Sequence, residues 1–323
     1  MAGSTGSVRC SSPALVSQPT CAREFFWVCE LAIALGGGKG NWFRVSSGTI
    51  KALVLDLDGT FLTSSKQISP RNRAAVQRCV ELGIGVIIAT ARPPRSVRSL
   101  LTDIPGADCV VYYNGALVRC ESTQVERHTP IPTEISRRVA GFIRDREPEA
   151  TIVYEVYDAW YALDSIPDAT CTVLGIGPHD PKPKIIAGLD AAALSPTKIL
   201  VPGFGGGRDL QEEFRSAVTV VKTDGGALVQ IMQAAVSKES AVQWVLDNME
   251  VLAQETMVFG DDVNDSGLFR LCGFPVAMKN AIAELKDAAA FVTASNDEDG
   301  VALAIEKFLL TSPVRGARTS YLM

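Results

Sequence analysis

Leu53-Val54-Leu55-Asp56-Leu57-Asp58-Gly59-Thr60 is an apolar run that empties into two carboxylates and a glycine. An unbroken apolar run of this length is what a parallel strand covered on both faces requires, so the stretch predicts a buried strand ending at a ligand site. The two-residue period of a strand end sets Asp56 and Asp58 on one side, and Gly59 lets the backbone turn sharply. Two aspartates held together repel each other unless a cation or a proton lies between them. The pair therefore points to bound Mg2+ or to acid–base work by one carboxylate.

Three further islands lie downstream of this strand. Val86-Ile87-Ile88-Ala89-Thr90-Ala91-Arg92 is a second apolar run that ends in a hydroxyl and an arginine. Lys238 stands at the predicted start of a helix, in Val236-Ser237-Lys238-Glu239-Ser240-Ala241. Met257-Val258-Phe259-Gly260-Asp261-Asp262-Val263-Asn264-Asp265 is a third run that opens into an acidic loop. Between the first two, Ser69-Pro70 reads as an N-cap with proline at the first helical position, opening a helix to about Leu82 that Gly83 ends. Strand, helix and strand in this order imply a parallel sheet with a right-handed crossover. In such a sheet ligands bind beyond the carboxyl ends of the strands, the edge at which Asp56, Thr90 and Asp261 arrive.

With these four islands in order, the chain resembles the haloacid dehalogenase superfamily of phosphohydrolases, and its Cof-like branch in particular. Asp56-Leu57-Asp58-Gly59-Thr60 matches the first motif, Thr90 the second, Lys238 the third and Gly260-Asp261-Asp262-Val263-Asn264-Asp265 the fourth, over roughly residues 50 to 310. Ala91 departs slightly from the glycine many relatives carry there. The resemblance implies a phosphate-monoester hydrolase with Asp56 as nucleophile and Asp58 as general acid and base. It implies Thr90, Lys238 and Asn264 on the phosphoryl group, and Mg2+ held by the Asp56 side chain, the Asp58 carbonyl and Asp261. Asp265 would orient the metal shell and Lys238, Asp262 would stay solvated or outside the ligand set, and Arg92 and Asn114 are candidate substrate contacts. An ionised carboxylate needs no base to attack phosphorus, which suits the assignment of Asp56.

The crossover between Asp58 and Thr90 leaves no room for another domain, whereas the stretch from Thr90 to Lys238 far exceeds what one more crossover needs. The expected fold is α/β: a Rossmann-like parallel sheet with helices on both faces, formed by 50–116 and 229–312, with an α+β cap inserted at 117–228. Predicted cap elements are helices at 135–146 and 209–217 and strands at 151–157, 160–163, 198–202 and 218–222. Substrate choice is expected from the cap, and Tyr154, Tyr157, Trp160 and Tyr161 are its first aromatic candidates, although aromatics usually serve cores and ordinary cap packing is the favoured reading of the group. In the core, Ala241, Val242, Val245, Leu246 and Met249 share one helical stripe and read as packing.

Composition narrows the partners. The 323 residues carry a formal net charge of −5, which offers no electrostatic footprint for nucleic acid or an anionic membrane. The expected partner is a small phosphate ester, with oligomeric state left open. Eight scattered cysteines without a C-x-x-C pair predict neither a disulfide framework nor a zinc site, and favour a reducing compartment. His128 and His179 are read as surface or satisfied residues. Residues 1–49 are a serine- and arginine-bearing extension followed by a glycine-rich linker, and 313–323 a tail. The location expected is cytoplasmic, or a plastid or mitochondrion if the extension acts as a transit peptide. A phosphotransferase or mutase would use the same motifs, and a catalytically idle binding protein could share the fold. A dehalogenase has no need of Asp58, and a P-type pump would carry threonine there and membrane spans.

Overall fold

The computed structural model describes residues 50–176, 181–187 and 193–310. The extension, the tail and His179 lie outside the described residues. The first strand, β1 (Ala52–Leu55), is wholly buried. It pairs in parallel with β2 (Gly85–Ala89) on one side and with a strand at Thr256–Gly260 on the other. Both neighbours are continuous apolar runs, which accounts for their central place: only strands covered on both faces can be apolar on both.

Between β1 and β2, α1 (Pro70–Glu81) begins where the sequence places it, with the Ser69 side chain accepting from the Asn72 N–H. After β2 come α2 (Pro94–Leu101), β3 (Ala107–Tyr112), β4 (Leu117–Cys120) and β5 (Val125–His128). Strands β3, β4 and β5 form an antiparallel meander on the edge of the larger sheet. Residues 117–128, which the expected division assigns to the cap, thus hydrogen-bond into the core sheet.

The inserted cap domain carries α3 (Thr133–Arg146), β6 (Val153–Val156), β7 (Ala159–Ala162), α4 (Asp168–Val173), β8 (Lys184–Ile185), β9 (Lys198–Pro202), α5 (Gly207–Glu213), β10 (Val218–Thr223) and β11 (Leu228–Gln233). Its sheet runs β10-β11-β9-β6-β7-β8. Strand β11 belongs here, beyond the expected boundary at 228; α4 and β8 were not anticipated. The core resumes with α6 (Lys238–Asn248), β12 (Thr256–Gly260), α7 (Ser266–Leu271), β13 (Phe274–Ala277), α8 (Ala283–Ala288), β14 (Phe291–Val292) and α9 (Gly300–Ile305). The larger sheet is ordered β14-β13-β12-β1-β2-β3-β4-β5.

Each sheet has its own apolar core. Tyr154, Ile199, Val201, Val218, Val229 and Ile231 face the cap helices in one cluster. The alternate residues turn the other way, and Met232 and Val221 among them pack against the core domain. Tyr161 also packs in the cap cluster and Trp160 sits beneath the Arg95 guanidinium, 4.4 Å from the ring centre. The Tyr157 ring lies against His128, with centroids 4.0 Å apart and planes tilted by 40°. Ordinary packing therefore absorbs most of the aromatic group proposed for substrate choice.

One expectation is corrected outright. Cys109 and Cys120 form a disulfide. They are directly opposed residues of β3 and β4, with Cα atoms 4.1 Å apart. Register, which no cysteine spacing reveals, brings them together. Cys79, Cys171 and Cys272 are free and buried.

Candidate active site

Asp56 is the first residue past β1, Thr90 the first past β2 and Asp261 the first past β12. Because Leu55 is level with Ile88 and with Phe259, the parallel register alone brings the three to one edge. The backbone then turns over itself: Phe61 N–H donates to the Asp56 carbonyl at 3.2 Å and Leu62 N–H to that of Leu57 at 2.8 Å. Gly59 makes this possible. Its φ is +78°, and a Cβ there would lie 2.1 Å from Asp261 Oδ2. Thr60 donates its hydroxyl to Asp261 Oδ1 at 3.0 Å.

Lys238 opens α6, whose N-cap Ser237 accepts from the Ser240 N–H. The helix can approach the sheet edge because Gly115, φ +109°, has no Cβ; one would stand 2.3 Å from the Ser237 carbonyl. The Lys238 ammonium, 1% exposed as a residue, donates to Asp56 Oδ1 at 2.6 Å and to Asp265 Oδ1 at 2.8 Å. Asp265 accepts at its other oxygen from the N–H groups of Asp261 and Asp262, at 3.1 and 3.4 Å. Asp262 instead caps its own turn, accepting from the Val263 N–H.

Charge at this edge is unbalanced. Asp56, Asp261 and Asp265 offer ligand atoms within 4.8 Å of one another, against a single ammonium. Burial pushes the Asp56 carboxyl up to about 8; Lys238 pulls against it, while Asp265 and Asp261 push with it. Burial and then repulsion from Asp265 raise Asp261 to about 6. The Lys238 ammonium is held above its ordinary value, since its two carboxylates outweigh the burial that opposes it. Such a group needs a proton or a cation for neutrality. The donor set fits a divalent ion, being all oxygen. Asp265 has both oxygens engaged. Asp56 and Asp261 keep their Oδ2 atoms without hydrogen bonds among the described residues, so they are the better placed ligands.

Asp58 lies apart from this cluster. Its carboxylate is gripped by Arg92, Nε to Oδ2 and Nη2 to Oδ1 both at 2.6 Å, and by Lys66 at 2.7 Å. Burial raises its pKa, but the hydrogen bonds from Arg92 and Lys66 prevail and hold it at about 2. The Thr90 hydroxyl is buried and accepts from the Arg92 N–H at 3.1 Å. Asn264 donates to the side chain of Asn114 at 3.1 Å, and Asn114 donates its N–H to the Thr90 carbonyl at 2.9 Å. The candidate site residues therefore fall into two adjacent hydrogen-bonded groups, Asp56, Lys238, Asp261 and Asp265 in one and Asp58, Thr90, Arg92, Asn114 and Asn264 in the other. His128 lies outside both and is satisfied by the Thr197 hydroxyl at 2.8 Å. Lys66, Thr60 and Asn280, which donates to the Gly59 carbonyl at 2.7 Å, went unnoticed. Thr60 stood inside the quoted motif; the other two had no signal beyond residue type.

A parallel sheet with a carboxylate-rich carboxyl edge and a lysine delivered by a following helix defines a hydrolase of the haloacid dehalogenase-like class. Residues 53–305 match the family model for haloacid dehalogenase-like hydrolases, and the chain belongs to that family. The phosphatase YwtE of Bacillus subtilis, named for 5-amino-6-(5-phospho-D-ribitylamino)uracil, is 27% identical over 80% of this chain and 98% of its own. A protein of Haemophilus influenzae described as a phosphatase is 28% identical over 80% and 97%. A crystal structure of a Thermotoga maritima protein superposes with a TM-score of 0.71 at 24% identity, covering 80% of this chain and 97% of that one, and so shares the fold. The protein is a hydrolase of the phosphatase type.

Proposed function

We propose that the protein is a Mg2+-dependent phosphatase that hydrolyses a small phosphorylated metabolite, a sugar phosphate or phosphorylated cofactor, through an aspartyl-phosphate on Asp56. The observation that carries this reading is the Asp56 carboxylate at the sheet edge, 2.6 Å from a buried ammonium and beside two further carboxylates. Ribityl phosphate chemistry in the name of a 27% identical relative supports the substrate class.

Asp56 attacks phosphorus as the ester P–O bond breaks, and Asp58 gives its proton to the leaving oxygen. Asp58 then takes a proton from water, which attacks the acyl phosphate and frees inorganic phosphate and Asp56. Thr90 and Lys238 donate to the oxygens on which charge gathers. Held by Arg92 and Lys66, the Asp58 carboxylate is ionised; when those two cations turn to the arriving phosphate its pKa rises, and it takes from solvent the proton that it gives to the leaving oxygen. Mg2+, held by Asp56, the Asp58 carbonyl and Asp261, would neutralise the phosphoryl oxygens and offset the repulsion among carboxylates. Asp265 would orient Lys238 and the loop carrying Asp261. The cap would exclude water and contact the leaving group.

A panel of phosphate monoesters with purified protein, with Mg2+ and with chelator, tests the proposal. Release of inorganic phosphate from sugar or ribityl phosphates, lost in chelator and restored by Mg2+, is expected. Full activity with metal content shown to be negligible, or none on any ester, overturns it. The proposed location is cytoplasmic or, through residues 1–49, organellar; among the described residues no helix is long and apolar enough to cross a membrane.

A further inference from the structure

Helix α2 starts four residues after Thr90, and nothing local caps it. Its N-cap is Pro93, which makes no side-chain cap hydrogen bond. The cap comes from the other domain: Asp158, in the turn between β6 and β7, accepts from the Arg95 N–H at 2.5 Å. Its second oxygen accepts from Arg98 at 2.5 Å. A carboxylate at a helix N-terminus is favoured both by the unpaired N–H groups and by the helix dipole. Here that stabilisation is conditional on the cap domain being in place.

The Arg95 side chain continues the connection. It donates to Glu155, which is 2% exposed on β6, and at 3.3 Å to the Tyr113 hydroxyl. Tyr113 in turn donates to the carbonyl of Tyr157 at 2.7 Å. Lys198 of β9, its ammonium made less basic by burial, lies 3.9 Å from Glu155 and donates to the Ala91 carbonyl at 3.5 Å. On the core side, Tyr113 N–H donates to the Arg92 carbonyl at 3.2 Å. Four residues of the core (Ala91, Arg95, Arg98, Tyr113) thus meet one hairpin and one strand of the cap; Ala91 follows Thr90 directly, Arg95 and Arg98 lie on the helix that comes next, and Tyr113 precedes Asn114, whose N–H donates to the Thr90 carbonyl.

We propose that the β6–β7 turn is a latch: Asp158, with Glu155, grips the first turn of α2 through Arg95 and so positions the Thr90–Arg92 loop. Asp158 and Arg95 are positioning residues, and the seat of the cap sets the reach of the Thr90 hydroxyl and of the Arg92 guanidinium. The kinetic side of this proposal rests on the assignment of Thr90 and Arg92 to the phosphate site; the mechanical side does not.

The test uses the full chain with Asp158→Ala and Asp158→Asn, the latter keeping an acceptor for the Arg95 N–H, together with Arg95→Ala. Asp158 is partly exposed, so its variants fold even if Arg95→Ala, which strands Glu155, does not. In hydrogen–deuterium exchange of the unliganded protein, Asp158→Ala is expected to raise exchange about five-fold in 90–101 and in 153–162 together, the order of one lost cap, leaving β1 and β12 unchanged. With a phosphate-ester substrate, KM rises about ten-fold at unchanged Mg2+ requirement, and Asp158→Asn restores both readouts to within about two-fold of wild type. Increased exchange confined to 153–162, or a changed loop with unchanged KM and kcat, overturns the latch. Should the wild type hydrolyse no ester, the proposed function falls and the exchange at 90–101 alone decides whether the turn holds the loop.

Discussion

Lys238→Met removes the ammonium that Asp56 and Asp265 share while keeping most of the side-chain volume. Breaking a buried ion pair by deleting one partner costs about 3–5 kcal/mol, because the remaining charge stays buried without compensation. Lys238 satisfies that condition, donating at 2.6 Å to Asp56 and at 2.8 Å to Asp265 from a wholly buried position. For domains of this size each kcal/mol moves the midpoint by about 2–4 °C, so a fall of roughly 10 °C is expected. The pH dependence carries a sign. Asp56 titrates in the fold at about 8, above its ordinary 3.8. A carboxyl raised in this way stabilises the fold fully below the unfolded value and loses that contribution as pH climbs through the folded one. Lys238 is the group that lowers it, so in the variant the folded value moves higher and the loss continues above pH 8, where the wild type has levelled off. Thermal denaturation in chelator at pH 6 and pH 9 measures this: the deficit should be wider at pH 9. The same change should lower kcat by about two to three orders of magnitude, the order for one charge-stabilising donor. Melting points within about 2 °C of wild type at both pH values, or a deficit that narrows as pH rises, would refute the charge argument.

Other outcomes follow from the same geometry. Asp56→Asn should lower kcat by roughly three or more orders of magnitude with the fold intact, read by phosphate release and circular dichroism. Gly59→Ala asks for a Cβ 2.1 Å from Asp261 Oδ2 at φ +78°; activity should fall at least about a hundred-fold, and a raised Mg2+ requirement in titrations would locate the damage at Asp261. Arg92→Ala removes the main hydrogen bonds that hold Asp58 at about 2. A carboxyl depressed in the fold stabilises it above its ordinary value and loses this as pH falls through the folded one; without Arg92 that contribution shrinks at neutral pH and the acid limb of kcat/KM moves upward. Replacing Cys109 and Cys120 together with serine should cost about 2 kcal/mol through the reopened short loop, measured as a lower denaturant midpoint, and a reductant should reproduce the effect in wild type.

The elements that could be read from the chain are those whose signal is local. An unbroken apolar run such as Leu53 to Leu55 or Met257 to Phe259 declares a strand with two covered faces, and Ser69 before Pro70 declares a helix start. Strand membership in a sheet is a different kind of information. Leu117–Cys120 and Leu228–Gln233 are not read as strands from the sequence, and which sheet each joins depends on the strands they pair with, β3 and β9 among them. Both boundaries of the inserted domain moved for this reason, and the same cross-strand register hid the Cys109–Cys120 bridge.

The site divides along the same line. Asp56, Thr90 and Asp261 are legible because each ends a legible strand, and parallel register does the rest. Asp265 and Lys238 are legible only through the motifs they complete, since a lysine at a helix start is ordinarily solvated; burial against two carboxylates makes it part of the centre. Lys66, Glu155, Asp158 and Lys198 carry no such mark, because their roles arise from surfaces that meet after folding. Those residues touch the motif residues or the loop and helix next to them. In the proposed mechanism Asp58 stays ionised while Arg92 and Lys66 hold it and takes up a proton once they let go, and the loop that bears Arg92 is itself held from the cap through Asp158 and Glu155. The proposed chemistry would thus have its timing set by contacts that only the assembled structure contains: a phosphate that draws Arg92 away would let Asp58 take up its proton, and the seat of the cap would determine how readily Arg92 can move.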